Sequence, residues 1–202
     1  MYIKGSIKDY LADLGANKPA PGGGSAAAMA AALGANLMSM VTNYTVGNPK
    51  YAKSEAKSTA ILSKLDGFTA SLERLIDEDV KAYGKLSKGM QKYSKGSDEL
   101  QAIFKEAIKP PLETCMIAFE CLKMCKTLAV IGNRNLITDT AIAAILLEGA
   151  FFSAKFNVYI NLKYITDIQY IQTVHTALSP LESKIPAMKE DILEKCEDVI
   201  SK

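Results

Sequence analysis

One stretch constrains this chain more than any other. It runs Pro19-Ala20-Pro21-Gly22-Gly23-Gly24-Ser25 and continues into Ala26-Ala27-Ala28-Met29-Ala30-Ala31-Ala32-Leu33-Gly34-Ala35. Two prolines fix the approach. Three glycines permit backbone conformations closed to other residues. Ser25 is the expected N-cap, since its hydroxyl can accept from a free N–H of the next turn. Ala27, Ala31 and Ala35 fall four apart, so one side of the following helix is nearly flat and another backbone can approach it. A helix that starts this way presents unpaired N–H donors and the positive end of its dipole, and it can touch a ligand through backbone alone. A Walker-type phosphate loop does not fit: no lysine stands between Gly24 and Ser25, and no apolar strand precedes them. A loop that only caps a buried helix is the plain alternative.

No charged residue occurs from Pro19 to Pro49, which raises a membrane span. The stretch is mostly Ala and Gly and carries Asn36, Ser39, Thr42 and Asn43, so it reads as a central buried helix and no membrane partner is expected. Lys plus Arg (24) nearly balance Asp plus Glu (22), and the net charge of +2 comes without an arginine-rich run; no nucleic-acid partner is expected. Met1–Ser6 lacks the apolar core of a signal peptide. Cys115, Cys121 and Cys125 fall at helical spacing and, with Cys196, read as reduced, buried thiols of a cytoplasmic protein. Cys121 and Cys125 lie four apart, but His175 is the single histidine and no CxxC pair exists, so no metal site is expected.

The apolar rhythm is helical wherever it is strong, and no alternating strand pattern of useful length occurs. Ser6 caps a short helix over 6–14, with Ile7, Tyr10, Leu11 and Leu14 on one face and Gly15 at its stop. The small-residue helix ends near Val46-Gly47-Asn48-Pro49, and a long helical rhythm fills 51–93. Ser97 opens the next helix; Lys109-Pro110-Pro111 is expected to interrupt it, with a restart at Pro111 that runs to about Ile131. Gly132–Asn135 is a turn, and Thr138 or Asp139 caps a helix over about 138–171. Ser179-Pro180-Leu181-Glu182 has the pattern of a capping box that opens a last segment, kinked at Pro186, with His175 in the linker before it. The expected fold is all-α: one domain over residues 1–202, a long antiparallel bundle of five to seven helices.

Two polar features interrupt this apolar order. Leu65, Phe68, Leu72, Leu75, Tyr83, Leu86 and Met90 form one stripe with a single gap, and Asp79 fills it. At about 100° per residue, Asp79 lies within roughly 10° of the stripe's direction, Asp77 about 150° away and Glu78 about 110° away. Asp79 is therefore expected to face the core, and Asp77 and Glu78 the solvent. A core-facing carboxylate is either a structural ion pair or an acid–base with a raised pKa. The second feature is a line of Asp139, Ala143, Leu146, Ala150, Asn157 and Asn161 on one helix face, with Glu148 turned the opposite way. Asp139 and Asn157 are eighteen residues apart, about 27 Å along a helix, so they cannot both touch one small reacting centre. Asn157 and Asn161 read as helix-packing groups, or as contacts for another part of a long ligand or a neighbouring subunit.

Together these residues resemble the cyclodeaminase/cyclohydrolase family: the C-terminal domain of formiminotransferase-cyclodeaminases and the stand-alone methenyltetrahydrofolate cyclohydrolases. The resemblance rests on Pro21–Ala28, on Asp77-Glu78-Asp79-Val80-Lys81-Ala82-Tyr83, on Thr138-Asp139 with Ala141 and Ala143, and on Asn157-Val158-Tyr159-Ile160-Asn161. It spans essentially the whole chain. Departures are a Pro-Pro where one proline is usual, Thr138 in place of Ser, and Val80 and Tyr83 where Ala and Phe are common. The resemblance implies a homodimer that acts on tetrahydrofolate-bound one-carbon units with neither metal nor cofactor. It places the essential aspartate at Asp79, and Gly22, Gly23, Gly24, Ser25 and Asp139 around the folate, with Asn157 and Asn161 as further contacts. Two reactions are compatible with it: the expected one is hydrolysis of 5,10-methenyltetrahydrofolate to 10-formyltetrahydrofolate, and the alternative is cyclodeamination of 5-formiminotetrahydrofolate to 5,10-methenyltetrahydrofolate and ammonia. A helical dimerisation protein without activity, in which Asp79 is a structural ion pair, stands as the alternative of another class.

Overall fold

The Asp9 N–H donates to Ser6 Oγ at 3.0 Å, and this cap starts α1, Ile7–Leu14, as the sequence predicts. A computed structural model describes all of residues 1–202. After α1 come α2 (Gly23–Asn43), α3 (Glu55–Lys92), α4 (Asp98–Ile131), α5 (Ile137–Leu162) and α6 (Ile168–Ile200). Short 3-10 turns stand at Tyr2–Lys4, Pro49–Ser54 and Arg134–Leu136. The protein is an all-α bundle, with no strand.

The small-residue helix sits at its centre. Ala31, Ala35, Met38 and Val41 of α2 are fully buried. A Cβ on Gly34 would stand 2.9 Å from Leu147 Cγ and 3.2 Å from the Ala143 carbonyl oxygen, so α2 and α5 meet nearly backbone to backbone there. Gly23 meets Asn157 at the other end of the same contact, which makes the two helices antiparallel. α3 and α4 close the other sides, and α6 lies on α4 and α5. By length and composition α2 and the Arg134–Leu162 region could each cross a membrane; within the bundle over half of the α2 window is buried.

Several local expectations give way to packing. α4 runs unbroken through Pro110 and Pro111, both buried, and α6 runs unbroken through Pro180 and Pro186. Each proline removes one intrahelical bond, but the rest of each long helix is held by its neighbours. The capping box at Ser179 therefore does not form. Asp167 caps α6 instead and accepts from Tyr170 N–H at 3.0 Å, while Glu182 accepts from Tyr159 Oη at 2.8 Å and pairs with Lys155 at 2.9 Å. α5 accordingly ends at Leu162, and His175 lies inside α6, exposed, with its ring 5.4 Å from that of Tyr159. Of the apolar face of α1 only Tyr10 is buried; Ile7 and Leu11 are exposed. Glu148 reaches Lys189 of α6 at 3.5 Å.

All four cysteines are free and buried. Burial pushes the Cys115 and Cys121 thiols up to about 12, so they stay protonated and inert.

Candidate active site

The glycine loop, the middle of α3 and the end of α5 converge on one cavity of about 200 Å³. Its wall includes Gly22, Gly23, Gly24, Asp79, Asn157 and Asn161, all singled out in the sequence, together with Pro19, Ala20, Tyr83, Leu86 and Ala107.

The loop is built differently from the expectation. The N-cap of α2 is Gly22, with no side-chain cap, and Ser25 is the third residue of the helix. None of the three glycines has a positive φ; Gly47 and Gly96 alone do. What the site requires of them is the missing side chain. A Cβ on Gly24 would stand 2.1 Å from Asp79 Oδ1, and one on Gly23 would stand 3.4 Å from Asn157 Nδ2. The carboxylate is thus seated directly against the bare start of α2.

The Ser25 backbone N–H faces the Asp79 carboxylate and favours its charged form. The carboxylate stands at the start of α2, where the helix has no side-chain cap of its own and the positive end of its dipole favours a negative charge. Burial pushes the Asp79 carboxyl up to about 6, while the Ser25 N–H pulls the other way. Desolvation outweighs the donor, and no basic side chain pairs with the carboxylate. Behind the loop, the Tyr10 hydroxyl lies 3.3 Å from Ser25 Oγ, both buried, so Ser25 holds the helix start from behind and does not line the cavity. Burial raises the Tyr10 phenol.

The neighbouring acids separate in an unexpected way. Glu78 is solvated and pairs with Arg74 at 2.5 Å, as its phase predicts. Asp77, expected in solvent, is 4% exposed and accepts from the Tyr2 backbone N–H at 2.5 Å. The turn Tyr2–Lys4 covers the outer face of α3, a contact no periodicity within α3 could reveal.

Asn157 and Asn161 lie on the same wall as Asp79. Each amide nitrogen donates one turn back, Asn157 to Ser153 O at 2.9 Å and Asn161 to Asn157 O at 3.0 Å, and neither side-chain oxygen bonds within the chain. Asp139 is elsewhere. It stands in the first turn of α5, outside the cavity, because the length of α5 carries it to the other end of the bundle. Tyr83, 46% exposed, counts in the sequence as part of the core stripe; here it forms the cavity's rim. Ala107 carries no signal in its own residue type, and Tyr10 none beyond its place on the apolar face of α1.

The family model described as formiminotransferase-cyclodeaminase matches residues 6–179. The chain belongs to that family. It is 33% identical over 197 residues to a methenyltetrahydrofolate cyclohydrolase of Methylorubrum extorquens, covering 94% of each chain. It is 32% identical over 183 residues to the formimidoyltransferase-cyclodeaminase of Mus musculus, of whose length the match covers 34%. The fold matches the crystal structure of formiminotetrahydrofolate cyclodeaminase from Thermotoga maritima with a TM-score of 0.92 and 29% identity, covering 99% of this chain and all of that one. These relatives of both kinds are enzymes, which puts the chain in an enzyme family of folate one-carbon chemistry.

Proposed function

We propose that this chain hydrolyses 5,10-methenyltetrahydrofolate to 10-formyltetrahydrofolate, with Asp79 as acid–base and with neither metal nor cofactor. The observation that carries the reading is the Asp79 carboxyl. It is seated in a small cavity against the start of α2 and held near 6, where it takes up and returns a proton at neutral pH. The match to a stand-alone cyclohydrolase over 94% of both chains supports this choice of reaction.

The bridging carbon of the substrate is a cationic amidinium. Water oxygen forms a bond to that carbon, the C=N electron pair moves to nitrogen, and one water proton passes to the Asp79 carboxylate. The C–N5 bond then breaks as the carbonyl forms. N5 takes the proton back from Asp79, and the hydroxyl proton leaves to solvent. In the ground state the negative carboxylate also attracts the cation in a poorly solvated site. Asn157 and Asn161 and the Gly22–Gly24 backbone orient the ring system; Ser25 acts by holding the start of α2 against Asp79. Asp139 lies too far away to touch the reacting end.

Cyclodeamination of 5-formiminotetrahydrofolate is the second reading, supported by the fold match to the Thermotoga maritima protein. There N10 attacks the formimino carbon and ammonia departs, so one carboxyl again moves the proton. Purified chain given each folate in turn separates the two: methenyl absorbance falls in the first reaction, and rises with release of ammonia in the second. No turnover of either overturns the enzyme reading.

The working form we propose is a cytoplasmic homodimer. Leu33 of α2 and Ile142, Ile145, Phe156 and Ile160 of α5 are about half exposed or more, and by helical phase they turn to one side of the antiparallel pair. A large apolar face of this kind suits a second copy.

A further inference from the structure

Pro110 and Pro111 stand side by side in the interior of α4, where each costs about 3 kcal/mol against an ordinary helical residue. Breaches of local preference of this size gather at functional sites. The pair has a specific consequence. A helical carbonyl accepts from the N–H four residues on or, in a tighter turn, three residues on. For Ala107 those residues are Pro111 and Pro110, and neither has an N–H. For Glu106 the residue three on is Lys109, which has one. Ala107 is therefore the one residue in the interior of α4, ahead of its last turn, whose oxygen lacks both ordinary donors, and Ala107 lines the cavity with Asp79, Asn157 and Asn161. A helical carbonyl points toward residue i+4 on its own face, so the released oxygen belongs to the cavity side.

We propose that the Ala107 carbonyl oxygen is a substrate-binding acceptor, freed by the Pro110-Pro111 pair to receive an N–H from the pyrimidine edge of the tetrahydropterin. The proposal rests on the folate reading above. That edge of the ring carries adjacent donors, the ring N3–H and the 2-amino group. The cavity sets acceptors on two elements, the Ala107 oxygen on α4 and the side-chain oxygens of Asn157 and Asn161 on α5, none of which has a partner from the chain. Acceptors match donors, and the reacting carbon is left to Asp79.

The test restores the missing donor. Pro111→Ala returns an N–H to the Ala107 oxygen and withdraws it from the cavity. Pro110→Ala returns one four residues on from Glu106, which lies outside the cavity, and that N–H meets the Ala107 oxygen only in the weaker three-residue turn. Both variants are expected to melt higher than the wild type. Pro111→Ala raises KM for methenyltetrahydrofolate about fivefold, for one hydrogen bond, and Pro110→Ala raises it less. A substrate analogue with methyl in place of the 2-amino group raises KM by a similar factor in the wild type but not in Pro111→Ala. A wild-type KM in Pro111→Ala, an equal rise in both proline variants, or a fall in kcat alone overturns the proposal. If Pro111→Ala does not fold, the wild type decides, and equal KM values for substrate and analogue overturn it. Failure of the wild type to turn over any folate removes the folate reading itself and this proposal with it.

Discussion

Asp79 and Gly24 act as a single device. The carboxylate occupies space that a Cβ on Gly24 would need, and it faces the Ser25 N–H at the start of α2. On the proposed mechanism Asp79→Asn keeps the size and an acceptor oxygen but loses the proton transfer, so kcat should fall by a factor of about 10² or more. The same variant has a stability signature. Folding raises the Asp79 pKa above its unfolded value to about 6, so the folded state holds the proton more tightly. The resulting penalty is absent below the unfolded pKa and grows as pH rises through 6. Asp79→Asn should therefore be more stable than the wild type at pH 8, on the order of 1–3 kcal/mol, with the difference closing toward pH 4. Melts at the two pH values check this, and an inflexion of wild-type kcat/KM near pH 6, rising toward the basic side, checks the role as base. Gly24→Ala should lower activity about as far as Asp79→Asn, because the methyl group displaces the carboxylate; an activity assay on the purified, folded variant decides it.

At the scale of elements, long helices here override local punctuation. Prolines that read as breaks at 110–111, 180 and 186 are absorbed because each helix is fastened along its length by neighbours. α6 shows what the fastening is made of. It touches α4 and α5, and a polar link reinforces its apolar contact: buried Lys155 pairs with Glu182 at 2.9 Å beneath the rings of Phe152, Phe156 and Tyr159. Glu182→Gln leaves the lysine charge uncompensated and should destabilise the fold by about 1–3 kcal/mol in a urea titration. Lys155→Met combined with Glu182→Gln should recover part of that loss, since the buried charge is then gone. Recovery of nothing would mean that the packing of the lysine stem matters more than its charge.

For the whole molecule, the homodimer reading predicts that Ile145→Glu or Phe156→Glu yields a folded monomer by light scattering, with a helical circular dichroism spectrum like that of the wild type. A wild type that is already monomeric at micromolar concentration counts against the proposed dimer.

Fold class and most of the candidate cavity's wall were legible in the chain itself. Helical period is a local property, so the placing of Asp79 on the inward stripe and the small-residue face of α2 followed from residue order alone. So did the bareness of the Gly22–Gly24 loop, although the reason for it did not: the glycines spare room for a carboxylate that lies more than fifty residues away in sequence. What only tertiary structure decided are relations between elements. The Tyr2–Lys4 turn buries Asp77, Asn157 and Asn161 join Asp79 on one wall while Asp139 is carried off by the length of α5, and Ala107 becomes part of the cavity. Periodicity tells which way a side chain points from its own helix axis; it holds no information on what stands opposite, because that distance is set by how separate helices pack.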